Sequence, residues 1–190
     1  VLIIESEKGF SCKIAGADAE SFPKFPDVSA EKEFSIAAGV LRSLVAKSHF
    51  AVAKDESRAF LCGILWIIEP MRTGMVATDG HRLGSSFVEG TFDVSEKVSA
   101  IISPKTLTHL VRIADTDEKE PVAVSLGEKY VVFKNGESTL CSKIIEGPYP
   151  DYEKVIPKDN PKKAVIDRSA LLEAVKRVSV LSNQKTHLEK

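Results

Sequence analysis

Asp79 and His81, two residues apart in Met75-Val76-Ala77-Thr78-Asp79-Gly80-His81-Arg82-Leu83, are the pair whose spacing comes nearest to proton-transfer chemistry. In a tight turn, an aspartate beside a histidine could act as a general base. A hydrolase would also need a nucleophile, a phosphate-cradling loop or a metal, and the sequence supplies no motif for any of them. His49, His109 and His187 form no cluster with His81. Asp-Gly has a more ordinary use, which is to turn the chain between two strands. The expectation is therefore a binding protein with no catalytic residue, no cofactor and no metal site, and a hydrolase using Asp79 and His81 is the weakest alternative.

The three cysteines, Cys12, Cys62 and Cys141, are odd in number and widely spaced, which fits neither a disulfide framework nor metal ligation. A reducing cytosol and three small buried hydrophobes in strands are expected. Hydrophobic residues at 43% and charged residues at 28% describe a folded globular chain of 190 residues rather than a disordered one. The longest apolar run, Phe60-Leu61-Cys62-Gly63-Ile64-Leu65-Trp66-Ile67-Ile68, is far too short to span a bilayer. Val1-Leu2-Ile3-Ile4 opens the chain as if in mid-strand, without an initiator Met, and Leu188-Glu189-Lys190 closes no element, so both ends read as cut from a longer protein. A net charge of −1 argues against a generic nucleic-acid binder unless the basic residues are gathered on one surface.

Strand signals dominate the chain around these residues. Residues 1–4 and 10–14 flank Glu7-Lys8-Gly9 as a hairpin, and residues 122–126 join 129–133 through Gly127-Glu128. Residues 131–133 and 140–145 flank Lys134-Asn135-Gly136-Glu137, where Asn-Gly is expected to supply the positive φ angles of a type I′ turn. Three stretches carry helical spacing. Residues 37–49 place Val40, Leu41, Leu44 and Val45 on one face, and residues 104–114 do the same with Leu107, Leu110, Val111 and Ala114. Ser103 is expected to cap the second helix and Pro104 to occupy its first turn. The third begins after Asp167 as N-cap and carries Leu171, Leu172, Val175 and Val178.

Leu41/Leu44 recur as Leu107/Leu110 and as Leu172/Val175, at steps of 66 and 65 residues. A recurring supersecondary unit implies stacked copies. The unit is one helix plus several antiparallel strands, and two units make a domain. Pro-rich residues 22–26 and 148–161 fall where domains join, leaving one whole domain between two incomplete neighbours. The helices also share a charge bias. Arg42, Lys47, Lys105, Arg112, Arg168, Lys176 and Arg177 stand against a single acid, Glu173, while acids gather elsewhere, as in Asp115-Thr116-Asp117-Glu118. Lys105, His109 and Arg112 lie opposite the Leu107/Leu110/Val111 stripe, and Arg42 and Arg177 lie opposite theirs. Such runs are commonly solvated faces, but three equivalent helices sharing the bias point to an anionic partner.

Three strings taken together, the one around Asp79-Gly80-His81-Arg82, Ser142-Lys143-Ile144-Ile145-Glu146-Gly147-Pro148-Tyr149-Pro150-Asp151-Tyr152-Glu153-Lys154-Val155-Ile156-Pro157, and Val180-Leu181-Ser182-Asn183-Gln184-Lys185, closely resemble the bacterial DNA polymerase III β sliding clamp family, over essentially the whole chain. The resemblance implies an α+β DNA-clamp fold, with helices lining the inner face of a ring, sheets outside and an acidic outer surface. It implies that residues 1–30 are the end of a first domain, 31–161 a complete second domain and 162–190 the start of a third. The implied function is a non-catalytic processivity factor that encircles duplex DNA without reading sequence. Its partners would be the replicative polymerase subunit, the clamp loader and other clamp-binding proteins, each captured through a short Leu- and Phe-containing peptide. A ring homodimer is implied for the full-length protein, a monomer for this stretch, and a bacterial cytoplasmic, nucleoid-associated location.

The same resemblance places a partner-peptide pocket at Leu61, Thr78, Gly80, His81, Arg82, Leu83, Pro150, Lys154 and Val155. Lys154 stands where the family usually has Arg, which removes bidentate bonding there. DNA-facing positions are Arg42, Lys47, Arg58, Phe60, Lys105, His109, Arg112, Lys176 and Arg177. In the loop at 54–60, Phe60 could stack on a base. Ala59 replaces an expected aromatic there, and Asp55-Glu56 oppose phosphate. The alternative reading from another class is a protein-interaction module with no DNA role, which the one-sided basic helices disfavour.

Overall fold

The computed structural model describes residues 1–22, 24–26, 28, 32–114 and 121–180; Pro23, the acidic string at 115–118 and residues 181–185 of the third motif lie outside the described residues. The chain divides into two compact units, Val1–Pro150 and Asp151–Lys190.

The first unit opens with a two-stranded hairpin, β1 (Leu2–Glu5) and β2 (Ser11–Ile14), paired antiparallel from Leu2↔Ile14 to Glu5↔Ser11. Two copies of one motif follow, each a strand, a helix and a three-stranded meander. The first copy is β3 (Lys32–Ala37), α1 (Ala38–Ser48), β4 (Ile64–Glu69), β5 (Arg72–Thr78) and β6 (Leu83–Glu89). The second is β7 (Val98–Ile102), α2 (Pro104–Ile113), β8 (Pro121–Leu126), β9 (Tyr130–Asn135) and β10 (Ser138–Lys143). The sheets run β10-β9-β8-β3 and β6-β5-β4-β7, so the leading strand of each copy completes the meander of the other. This exchange makes one domain of two repeats, because neither copy closes its own sheet.

Alternation explains which faces meet. β8 reads Pro-Val-Ala-Val-Ser-Leu, with Val122, Val124 and Leu126 buried and Pro121 and Ala123 exposed. β4 lies between β5 and β7 and reads Ile-Leu-Trp-Ile-Ile-Glu, with Ile64, Trp66, Ile67 and Ile68 all buried. Its near-continuous hydrophobicity is that of a strand covered on both faces. One core joins Leu41 and Leu44 of α1, Leu107 and Leu110 of α2, and both sheets. Trp66 sits at its centre, edge-on to Phe34 at 5.5 Å and stacked with Phe133 at 6.2 Å. Its indole N–H donates to the Thr73 hydroxyl (2.8 Å), which donates to the Ile67 carbonyl (2.9 Å), so the buried polar atoms are satisfied. α1 packs on β3, β5 and β6, α2 packs on β10, and the two helices touch each other.

The helix and hairpin positions agree with the sequence periodicity, and several details differ. In the β9–β10 hairpin Ser138 pairs with Asn135, so the two-residue loop is Gly136-Glu137 rather than Asn-Gly, with Gly136 at φ 55°. Asn135 instead ends the strand, buried, with its amide donating to the Pro121 carbonyl at 3.4 Å. Ser103 occupies the N-cap of α2 but its hydroxyl makes no capping bond there. The cysteines are half-buried rather than buried, and Cys62 lies in a 3-10 helix, its thiol donating to the Asp55 carbonyl at 3.2 Å. The expected loop at 54–60 is largely that helix (Glu56–Cys62), with a kink at Arg58.

The second unit contains a 3-10 turn, Tyr152–Val155, and α3 (Arg168–Ser179). The Asp167 carboxylate caps α3 by accepting from the Ala170 N–H at 2.8 Å, as its position in the sequence implies. Leu171, Leu172, Val175 and Val178 are 43–50% exposed, so the apolar stripe of α3 is uncovered. Among the described residues no helix is long and apolar enough to cross a membrane.

Candidate partner-binding turn and basic helix face

β5 ends at Thr78 and β6 begins opposite it at Leu83, so Asp79-Gly80-His81-Arg82 form the connecting loop. Its side chains hold it closed. The Asp79 carboxylate accepts from the His81 N–H (2.9 Å) and the Arg82 N–H (3.0 Å), and its second oxygen takes the Arg82 Nε at 3.0 Å. The Thr78 hydroxyl donates to the Arg82 carbonyl (2.8 Å) and accepts from the Gly80 N–H (3.1 Å). Gly80 has φ 91°, which only glycine adopts without strain. The two backbone amides of His81 and Arg82, then the Arg82 side chain, pull the Asp79 carboxyl down from 3.8 to about 2. A carboxylate so stabilised, with its lone pairs engaged by the loop, is a poor general base; it shapes the turn and leaves the His81 and Arg82 side chains exposed.

Two close approaches set the turn in place. A Cβ on Gly84 would lie 3.0 Å from the Lys47 carbonyl oxygen and 3.1 Å from Ser48 Cα, so β6 reaches the end of α1 only through a glycine. On the other side Tyr149, at the end of the segment that follows β10, brings its hydroxyl to β5. The hydroxyl accepts from the Thr78 N–H at 3.1 Å and donates to the Val76 carbonyl at 3.5 Å. Burial raises the phenol to about 12, with the Thr78 N–H acting weakly in the opposite direction. Pro150, next in the chain, is exposed.

The segment leading to Tyr149 is itself fastened. The Ile144 N–H donates to the Lys129 carbonyl and the Ile145 N–H to the Ile101 carbonyl, both at 2.9 Å. Gly147, at φ 130°, leaves room for Phe60, whose Cβ would be 3.4 Å from any Cβ placed there. Phe60 is thus half-buried against the chain rather than free on the surface. Arg58, assigned from sequence to DNA, has Nη1 3.7 Å from the position of a Gly80 Cβ, which places its guanidinium beside the turn. Leu61 is only 3% exposed, while Leu83 and Thr78 are half-buried. The first unit therefore gathers Thr78, Gly80, His81, Arg82, Leu83 and Arg58 at one hairpin, with Pro150 linked to it through Tyr149.

In the second unit, Lys154 and Val155 lie on the 3-10 turn. Lys154 Nζ is 3.0 Å from the Asp151 carboxylate, whose pKa is lowered chiefly by that bond, and Val155 is 68% exposed. On α3, Lys176 and Arg177 are exposed, and Arg177 lies 4.0 Å from Glu173.

The helix face of the first unit is the second candidate surface. Neither α1 nor α2 contains an acidic residue. Lys47, Lys105, His109 and Arg112 are exposed, whereas Arg42 is half-buried. Arg42 lines a cleft of about 320 Å³ between the two helices with Val45, Ala46, His49, Phe50, Thr108 and Val111. The proximity of α2 explains its burial, which spacing along α1 alone does not reveal. The strands carry both signs: Lys32, Arg72, Lys134 and Lys143 accompany Glu33, Glu69 and Glu89. Several of these charges are paired, as in Arg72–Glu69 (2.6 Å) and Lys32–Glu96 (3.1 Å). Among the described elements of this unit, charge is segregated by the absence of acids from α1 and α2. Sequence reading missed Tyr149 and Gly84 as determinants of the turn; the Tyr149-Pro150-Asp151-Tyr152 string was a usable signal, and Gly84 had none.

Comparison with known proteins agrees with this architecture. The family model of the DNA polymerase III beta subunit, central domain, matches residues 35–151. A beta sliding clamp of Pseudomonas aeruginosa is 34% identical over 167 residues, covering 88% of this chain and 45% of the relative. The crystal structure of the DNA polymerase III subunit beta from the same organism superposes with a TM-score of 0.85 at 32% identity, over 96% of this chain and 50% of that one. A second structure of that organism's sliding clamp, bound to griselimycin, gives 0.84 at 31% identity, over 97% and 50%. The chain spans about half the length of the curated relatives it matches. A family model that covers both exchanged copies of the strand–helix–meander motif, together with solved relatives that share the fold, establishes that the chain belongs to the DNA polymerase III beta subunit family.

Proposed function

We propose that the chain is the central part of a sliding clamp, a non-catalytic processivity factor that encircles duplex DNA and tethers the replicative polymerase. The observation that carries this reading is the acid-free face of α1 and α2 with Lys47, Lys105, His109 and Arg112 exposed. Cations on a rigid helix face attract phosphates without reading bases, which lets a protein hold DNA and slide. On this reading Arg42, Lys176 and Arg177 add to that field, and the Thr78–Leu83 turn belongs to the site that captures Leu- and Phe-containing peptides from polymerase, clamp loader and other partners. The griselimycin complex of a relative supports a ligand-binding surface in this family. Boundaries at 30/31 and 161/162, a head-to-tail ring homodimer of the whole protein and a cytoplasmic, nucleoid-associated location complete the proposal.

The test is binding of the 190-residue chain to a fluorescent duplex oligonucleotide across a salt series. Weak, sequence-independent binding is expected, with log K falling against log salt by about 0.9 per phosphate contact. Salt-resistant, sequence-selective binding would point to base readout and against a clamp. Absence of any binding at low salt would favour a protein-interaction module.

A further inference from the structure

Among the described residues, the end of β5 lacks a strand partner on one side. The register of β4 with β5 stops at Leu65↔Val76, whereas β5 runs on to Thr78 before the loop. Beyond Val76, the backbone of β5 that faces β4 therefore has no ladder to join. Tyr149 fills this gap with a side chain: its hydroxyl accepts from the Thr78 N–H and donates to the Val76 carbonyl. The two bonds hold Val76 and Thr78 at the end of β5, and the Thr78 hydroxyl in turn holds Gly80 and the Arg82 carbonyl. A continuous chain of hydrogen bonds thus runs from Tyr149 through Thr78 into the loop that exposes His81 and Arg82.

From this connection we infer that Tyr149 is a positioning residue for peptide capture: its hydroxyl acts as a surrogate strand that fixes the Thr78–Leu83 turn in its binding geometry. The inference rests on the reading of that turn as part of the peptide site. Tyr149 need not touch the peptide. Its phenol is engaged with β5, and it is held from behind by the bonds of Ile144 and Ile145 and by the Phe60–Gly147 contact. Fixing the turn beforehand spares the peptide the cost of ordering it, so the hydroxyl contributes to affinity through the free state. The adjacent Pro150 is brought to the same place by the same anchor.

Tyr149→Phe tests the inference, because it deletes one oxygen and keeps the ring that fills the site. A synthetic peptide with Leu and Phe anchors is titrated into the 190-residue chain, with amide shifts and Kd read by NMR at a temperature where the variant is fully folded. For the unsubstituted chain the shifts should centre on Gly80 and Leu83. In Tyr149→Phe, which loses both hydroxyl bonds, Kd should weaken about three- to tenfold, the part of their net worth that positioning passes on to the peptide. Hydrogen exchange of the Thr78 and Gly80 amides should accelerate. Val124→Ala, in the other sheet, loosens the core and should leave Kd unchanged, which separates positioning from general destabilisation. If the peptide shifts Gly80 and Leu83 but binds Tyr149→Phe as tightly as the unsubstituted chain, the positioning role is wrong and the peptide site stands. If the peptide leaves Gly80 and Leu83 unmoved in the unsubstituted chain, the peptide site itself is wrong and the inference falls with it.

Discussion

Asp79 shows how one side chain can organise a surface without performing chemistry there. Its two oxygens take two backbone amides and one guanidinium within four residues, so the loop is cross-braced from within as well as anchored at Thr78. The carboxyl sits at about 2, below its ordinary 3.8, so its contribution to stability is present above about pH 4 and is lost as pH falls through 2. NMR titration should give Asp79 a midpoint near 2, and below it the His81 and Arg82 amides should exchange faster while strand amides in β9 do not. A midpoint near 4 would mean the loop is not held as described. Gly84 acts at the same scale by leaving room. Ala there would press against the backbone of Lys47 and Ser48, neither of which is a flexible side-chain end. Gly84→Ala should cost about 1–3 kcal/mol in urea unfolding, as other overpacked sites do. A neutral result would show that β6 and α1 separate more easily than their 3.0 Å approach implies.

At the scale of elements, the periodic signals in the sequence correspond to real helices and hairpins, because a helix or strand in a domain of this size must bury one face. α1, α2 and α3 start within a residue or so of the positions that spacing and N-cap chemistry suggest. What spacing along one helix cannot give is what packs beside it, and Arg42 is the example. It lies on the polar side of α1 by periodicity, yet α2 turns that side into a cleft. The outer positions of α2 are free of this effect. Lys105→Glu and Arg112→Glu should therefore each weaken duplex binding and, if each meets one phosphate, lower the log–log salt slope by about one. Lys134→Glu on β9, also exposed, should leave binding unchanged. Equal loss from all three substitutions would indicate attraction to net charge rather than to the helix face.

For the molecule as a whole, stability is unevenly distributed. The shared core, from Phe34 through Phe133, lies entirely in the unit Val1–Pro150. Among the described residues of the other unit none is buried, and α3 is a 12-residue helix with its apolar stripe exposed. Isolated helices of about 12–15 residues are marginal in water, since nucleation is costly and packing supplies most of their stability. Amides of α3 should therefore exchange near the rates of small local openings, whereas those of α1, α2 and β4 should require global unfolding. Limited proteolysis should cut first beyond the unit boundary at Pro150 and leave a fragment ending between it and α3, with intact Trp66 fluorescence. Equal protection of α3 and α2 would contradict this division.

The repeated helix-and-strands unit, the hairpins, the bias of the helices toward positive charge and the family were legible along the chain, because hydrophobic period, turn chemistry and motif strings are local properties. It also identified Asp79-Gly80 as a turn, since an Asx turn depends on neighbours two and three residues away. The exchange of β3 and β7 between copies, the cleft beside Arg42, the place of Arg58 by Gly80 and the meeting of Tyr149 with Thr78 emerge with the folded chain alone. Each of these depends on groups far apart in sequence being brought within a few ångströms. That proximity is set by how the two sheets and two helices close on one core, and no local pattern encodes it.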